Sequence, residues 1–192
     1  VYKRQSLIFG LIMTSTDGNF FIAFILATSL GMFAGLVNGL LVTKIGIPSI
    51  VATIGTLFFW RGLVNVISQG SGIAIVDVAD GTWHHMIFVE KLFGKIPMQF
   101  IWFIVLTGLM QWVYRYHKFG NHIHFVGDNN ARAQMLGINV DHVKIVAFVQ
   151  LGFFSALAGI FTMYEMLYFW PTQGEGLMLT TLAAVFVGGT SV

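Results

Sequence analysis

The chain has 192 residues, of which 56% are hydrophobic, 9% are charged and none is cysteine, and its net charge is +2. A soluble domain carries about 25% charged residues, so these few could not cover a water-exposed surface, and hydrocarbon is the expected solvent. Disulfides, thiolate metal sites and thiol catalysis are excluded for want of cysteine, and so small a net charge does not point to nucleic acid.

Residues 1–5, VYKRQ, are the translation of GTGTATAAGAGACAG, which resembles a transposon adapter used in sequencing libraries. They are expected to be an artefact, and residues 6–192 an incomplete piece of a longer protein, since the start has no initiator Met and no basic region leading into a short apolar core. Residues 6–13 (SLIFGLIM) read as the tail of a span, and residues 14–19 as a polar turn. Residues 20–42 carry no charge, and at about 1.5 Å per residue they are long enough to cross a ~30 Å hydrocarbon core. Residues 47–67 form the next span, with Pro48 suited to its first turn and Arg61 its one interruption.

Residues 68–95 mix Gly, Asp, His, Glu and Lys with scattered apolar residues, and predict an ordered extramembrane loop with an interfacial helix near residues 83–93. Residues 96–114 are the third span, with Trp102, Trp112 and Tyr114 near its ends as an interfacial aromatic belt requires. Residues 115–142 are the most polar stretch, residues 143–167 the fourth span, and residues 177–192 a fifth that is cut short. The expected fold class is all-α: a polytopic membrane helix bundle with four complete spans and two partial ones. Lys44, Arg115, Lys118, Arg132 and Lys144 fall on one side of it. Lys91 and Lys95 fall on the other, beside Asp77, Asp80 and Glu90. The positive-inside rule then puts residues 43–46 and 115–142 in the cytoplasm.

Gly31, Gly35 and Gly39 recur every four residues with Asn38 nearby, and Gly152, Ser155, Ala156 and Gly159 repeat the device in the fourth span. Small residues at this spacing let helices approach closely in lipid; packing within the bundle is the plain reading, dimerisation or pore lining the alternatives. Arg61 is the one full charge well inside a span, and either pairs or snorkels to the interface, or touches solute. Asp128-Asn129-Asn130, then residues 131–136, then Gly137 read as a short helix with an Asx N-cap and a glycine after its end. Too short to persist alone in water, it either docks on a partner or packs as a capped turn on its own bundle. His117, His122 and His124, and likewise His84 and His85, lack an acidic or thiolate companion at ligand spacing, so no metal site is expected. No nucleophile stands with its base and no GxxxxGK[ST] is present, so no catalytic residue, enzyme activity or cofactor is expected of this chain.

Gly35-Leu36-Val37-Asn38-Gly39-Leu40-Leu41-Val42 is similar to a G-x-x-N-G-x-x-v stretch, and Ile47-Pro48-Ser49 with residues 52–56 and Arg61-Gly62 to an I-P-s…T-L-g-t…R-G span. Residues 127–140 (GDNNARAQMLGINV) are similar to a G-g-N-x-x-A-A-x-x-x-G-I-n-v segment. Pro171-Thr172, Gly174, Gly176 and residues 183–191 are similar to P-t-x-G-x-G…A-A-v-v-x-G-G-t-S. In this order over residues 20–192, they resemble the permease family of simple-sugar ABC importers for ribose, xylose and galactose, in the superfamily that includes branched-chain amino-acid permeases. The chain departs from it with Asp128 where a second glycine is usual, with Thr180 about where an Asp often stands, and with Glu175 where a small neutral residue is commoner.

The resemblance implies a bacterial inner-membrane, multi-pass permease subunit for a sugar or similar small polar solute. Its partners would be a second permease subunit, identical or not, cytoplasmic ABC ATPase subunits, an extracytoplasmic solute-binding protein and membrane lipid. Gly127, Asp128, Asn129, Ala131, Arg132, Ala133, Met135, Leu136 and Gly137 would form the ATPase-coupling helix. Arg61, Gly174, Glu175, Gly176 and Thr180 are candidate pathway residues. The competing readings are a branched-chain amino-acid permease, an ion-coupled transporter and an intramembrane enzyme. The ion-coupled reading lacks an acidic residue in any span interior, Glu165 lying near the outer end of its span, and the enzyme lacks a catalytic constellation at depth.

Overall fold

The computed structural model describes residues 2–16, 18–79, 81–92, 96–171 and 176–188. They fold as a helical membrane bundle, with helices α1 (Tyr2–Ser15), α2 (Phe20–Lys44), α3 (Ser49–Ser68), α6 (Met98–Tyr116), α7 (Lys118–Asp128), α8 (Asn130–Met135), α9 (Val140–Met166) and α10 (Leu177–Val187). Two one-turn helices, α4 (Val76–Ala79) and α5 (Trp83–Phe88), lie in the α3–α6 connection. Short strands β1 (Ile73–Ala74) and β4 (Tyr168–Phe169) pair antiparallel, as do β2 (Lys91–Leu92) and β3 (Ile96–Pro97).

Helices α2, α3 and α9 are long and apolar enough to cross a membrane. Their bounds fall within a few residues of the spans expected at 20–42, 47–67 and 143–167. α6 has 19 residues but a lower hydropathy, because Gln99, Gln111 and Arg115 lie within it. Local chemistry sets the ends. Asn19 caps α2 by accepting from Ile22 N at 3.4 Å, and Asn139 caps α9 by accepting from His142 N at 3.0 Å. Pro48, at φ −52°, precedes the first residue of α3. At the far ends of α3 and α9 the chain leaves through left-handed residues, Gln69 and Leu167.

The α2–α9 pair is the spine, and glycine makes it possible. A Cβ on Gly31 would lie 2.6 Å from the carbonyl oxygen of Gly152, and one on Gly35 2.9 Å from Cα of Val149. One on Gly39 would lie 3.0 Å from Cα of Ile145. Backbone meets backbone along the seam, the geometry that small residues permit in lipid. α1 lies in the angle between the two helices, where Ser6 Oγ donates to Gly159 O at 2.9 Å. Beside that bond the Gln5 amide is fully buried with no hydrogen-bond partner among the described residues. Asn38, also buried, accepts from Thr56 Oγ1 at 2.8 Å and so ties α2 to α3 by a polar bond.

The hydrophobic core gathers at one end of the bundle, around Phe9, Phe20, Ile75, Phe88, Ile160, Met163, Tyr164 and Phe169. The α3–α6 connection is folded down onto that end, and the helix expected near residues 83–93 occupies Trp83–Phe88 before the β2–β3 pair begins. Hereafter this end is called the outer cap, after the side on which the positive-inside rule is expected to place it.

Candidate coupling surface and outer cap

At the opposite end the chain passes through α7 and α8 between the two long helices α6 and α9. Asn129 has extended backbone, and its Oδ1 accepts from Ala131 N at 2.9 Å and Arg132 N at 3.1 Å, which starts α8. Gly137, at φ +76°, ends it: its N–H reaches Gln134 O at 2.9 Å and that of Ile138 reaches Ala133 O at 3.0 Å. This is a Schellman closure, which satisfies the last carbonyls and favours glycine at the left-handed position. Both ends of a six-residue helix are thus pinned by the residues that the sequence marks for it.

The two faces of α8 differ. Ala133 is fully buried against the chain's own bundle, whereas Met135 is 86% and Leu136 64% exposed. Ala131 and Arg132 are exposed too. Gly127 and Asp128 close α7 rather than open α8, and a side chain at Gly127 would meet nothing within 4 Å. A cavity of about 360 Å³, lined by Gln134, Gly137, Ile138, Asn139, Val140 and Asp141, lies where α8 turns into α9. Nearby, Lys44 at the end of α2 pairs with Asp141 at 3.5 Å. α7 itself did not stand out in the sequence, although Phe119, Ile123 and Val126 repeat at helical spacing along it.

The outer cap is closed by a polar bond inside an aromatic nest. His84, 4% exposed, stacks on Phe20 with ring centroids 5.2 Å apart. Its Nδ1 lies 3.0 Å from the Tyr164 hydroxyl and 2.9 Å from Thr82 Oγ1. Burial holds the His84 imidazole below the ordinary histidine range, and the neighbouring His85 adds to the effect. Phe88 stacks on Trp102, whose Nε1 donates to Ile87 O at 2.9 Å. With β1 paired to β4, the cap is fastened to the end of α9 at two separate places. His84 is therefore a packed, hydrogen-bonded link, and the one signal for it in the sequence is its place in the aromatic TWHHMIF run.

The candidate pathway residues do not converge on one described site. Arg61 is exposed on α3. Gly176, at φ +92°, and Thr180, whose hydroxyl donates to Gly176 O at 3.4 Å, stand at the start of α10. Gly174 and Glu175 lie outside the described residues.

The family model for the permease component of branched-chain amino acid transport systems matches residues 5–192. The chain is 33% identical to an autoinducer 2 import system permease protein LsrC from Photorhabdus luminescens, over 88% of this chain and 49% of the relative. It is 36% identical to the protein of the same name from Yersinia pseudotuberculosis, over 86% of this chain and 46% of the relative. The chain therefore spans about half the length of the curated relatives it matches. No solved structure matches it. With the family model covering all but its first four residues, the chain belongs to the permease family of branched-chain amino acid transport systems.

Proposed function

We propose that the full-length protein is the membrane subunit of an ATP-driven importer for a sugar or similar small polar solute, and that α8 is its ATPase-docking helix. The observation that carries this reading is a helix pinned at both ends which turns Met135 and Leu136 outward and keeps only Ala133 for its own bundle. Two adjacent large apolar residues with that exposure on a polar connection suit a protein groove. The relatives named for autoinducer 2 import and the resemblance to sugar permeases favour a polar solute. In this reading α7 and α8 are cytoplasmic, α6 crosses the bacterial inner membrane with α2, α3 and α9, and the outer cap faces the solute-binding protein. A second permease subunit completes the pathway, and the ATPases are separate chains.

The unbroken α9 runs from the end of α8 to the outer cap, so movement of α8 would reach the cap through one rigid helix. Ala133 faces inward, so the docking surface is tested at its exposed neighbours. In the full-length permease with its ATPase subunits, Met135→Asp with Leu136→Asp should abolish uptake of the cognate sugar and solute-stimulated ATP hydrolysis. Melting temperature and membrane yield of the permease should stay as in the wild type. Normal uptake by the double variant would overturn the docking role.

A further inference from the structure

Where α6 ends and α7 folds back, a cavity of about 470 Å³ opens between them, lined by Gln111, Tyr114, Arg115, Ile123 and His124. Gly120 allows the fold-back: it is buried, and a Cβ there would press on the Tyr114 backbone at 2.5 Å. Gln111 and Arg115, four residues apart, share one face of α6. The lining offers the guanidinium of Arg115, the amide of Gln111, the hydroxyl of Tyr114 and the ring nitrogens of His124, while Ile123 and the Tyr114 ring form an apolar wall. No acidic side chain lines it among the described residues, and Lys118 stands exposed at the start of α7.

The cavity continues onto an open helix face. Going back along α6 from Gln111, a side chain at Gly108 would meet nothing within 4 Å, and Ile104 and Phe100 follow on the same face, each more than half exposed. Trp112 and Tyr116, 62% and 71% exposed, are sequence neighbours of the lining residues, and amphipathic aromatics of this kind favour the membrane surface. A cationic pocket with no acidic lining among the described residues, beside an open apolar helix face, is complementary to an anion with a hydrocarbon tail.

We propose that this cavity binds the phosphate headgroup of an anionic phospholipid, with one acyl chain lying along the Gly108–Ile104–Phe100 face of α6. Arg115 holds the phosphate by a charge-assisted, two-pronged contact, and Gln111, Tyr114 and His124 supply further donors. The site rests on the proposed crossing of the membrane by α6, and that crossing can be measured separately.

The full-length protein is purified in mild detergent and presented with phosphatidylglycerol, phosphatidylcholine of the same chain length, or inorganic phosphate. Bound lipid is counted by native mass spectrometry and the melting temperature recorded. Phosphatidylglycerol should be retained and should raise the melting temperature, whereas the other two should not. Arg115→Gln should weaken its retention by about fivefold, the effect of removing one basic residue near a lipid surface, and Arg115→Lys should weaken it less. The Arg115→Gln protein should melt with the wild type in phosphatidylcholine, which controls for folding. Equal retention of both lipids, the same shift with inorganic phosphate, or an Arg115→Gln variant indistinguishable from wild type would each overturn the headgroup site. In a variant that keeps Trp112 as its only tryptophan, quenching of its fluorescence by brominated phosphatidylcholine reports whether α6 sits in the bilayer, whatever the headgroup result.

Discussion

Along the α2–α9 seam, glycine backbones touch, and the interface is complete within the chain. Along α3 and α6, side chains of the same apolar character reach outward: Phe58 and Phe59 are each 62% exposed, and α6 buries no residue among those described. Glycines occur on both sets of helices, yet Gly55, Gly62 and Gly108 have nothing within 4 Å of an added Cβ. Composition is therefore a poor guide to which helix face is packed, and spacing is a better one. The seam glycines recur every four residues and fall on one stripe, while Gly55 and Gly62 are seven apart and leave their stripe to larger residues.

The contrast is broken most severely by adding bulk to the seam. Gly35→Leu would drive a side chain into the Phe148 backbone carbonyl, and a clash with backbone relaxes only by separating the two helices. A loss of at least about 3 kcal/mol is expected, at the upper end of overpacking costs. Gly62→Leu should stay within about 0.5 kcal/mol, as unconstrained surface changes do. Detergent melting curves of the two full-length variants check the pair. A Gly62→Leu cost approaching that of Gly35→Leu would show that another helix rests on α3 in the assembled protein.

How far the sequence could be read follows from the range of each signal. The long spans are legible because hydrophobicity over some twenty residues needs no knowledge of neighbours. The α8 caps are equally local: Asn129 and Gly137 act on backbone groups within a few residues of themselves. What depends on neighbours was not legible. Ala133 and Met135 belong to one short helix, and only the way it lies on the bundle makes one buried and the other exposed. The His84–Tyr164 bond joins residues 80 apart, and the TWHHMIF run reads as an interfacial helix without disclosing that bond. α7 is hard to see in the sequence because two histidines and two glycines dilute its apolar stripe.

A smaller effect is expected at the outer cap, where the difference between packed and open surface becomes pH-dependent. The folded protein holds His84 below its ordinary range, near 6.5, so the unfolded chain takes up the proton first. The stability contributed by neutral His84 is full above about pH 6.5 and falls as pH drops from there through the folded value. Tyr164→Phe removes one hydroxyl partner and should cost about 1–2 kcal/mol at neutral pH. His84→Gln should remove the decline in melting temperature between about pH 6.5 and pH 5. The same decline in wild type and His84→Gln would show that other groups, His85 first among them, govern it.

The smallest expected change is a gain, at the place where α1 meets the seam. Gln5 is fully buried with both amide atoms unpartnered among the described residues, and its Nε2 lies against Gly31, where an added Cβ would be 3.3 Å away. A buried amide without partners costs about 1–3 kcal/mol. Gln5→Leu keeps nearly the same volume, so the desolvation penalty is relieved without opening a cavity. A stabilisation of about 1 kcal/mol is expected, or a rise in melting temperature of about 2–4 °C for a chain of this size. The seam should be unaffected otherwise, because Ser6 keeps its bond to Gly159 O and α1 its place between α2 and α9. A fall in melting temperature would mean that the amide has found a partner, and that the tip of α1 is a polar contact for another segment of the assembly.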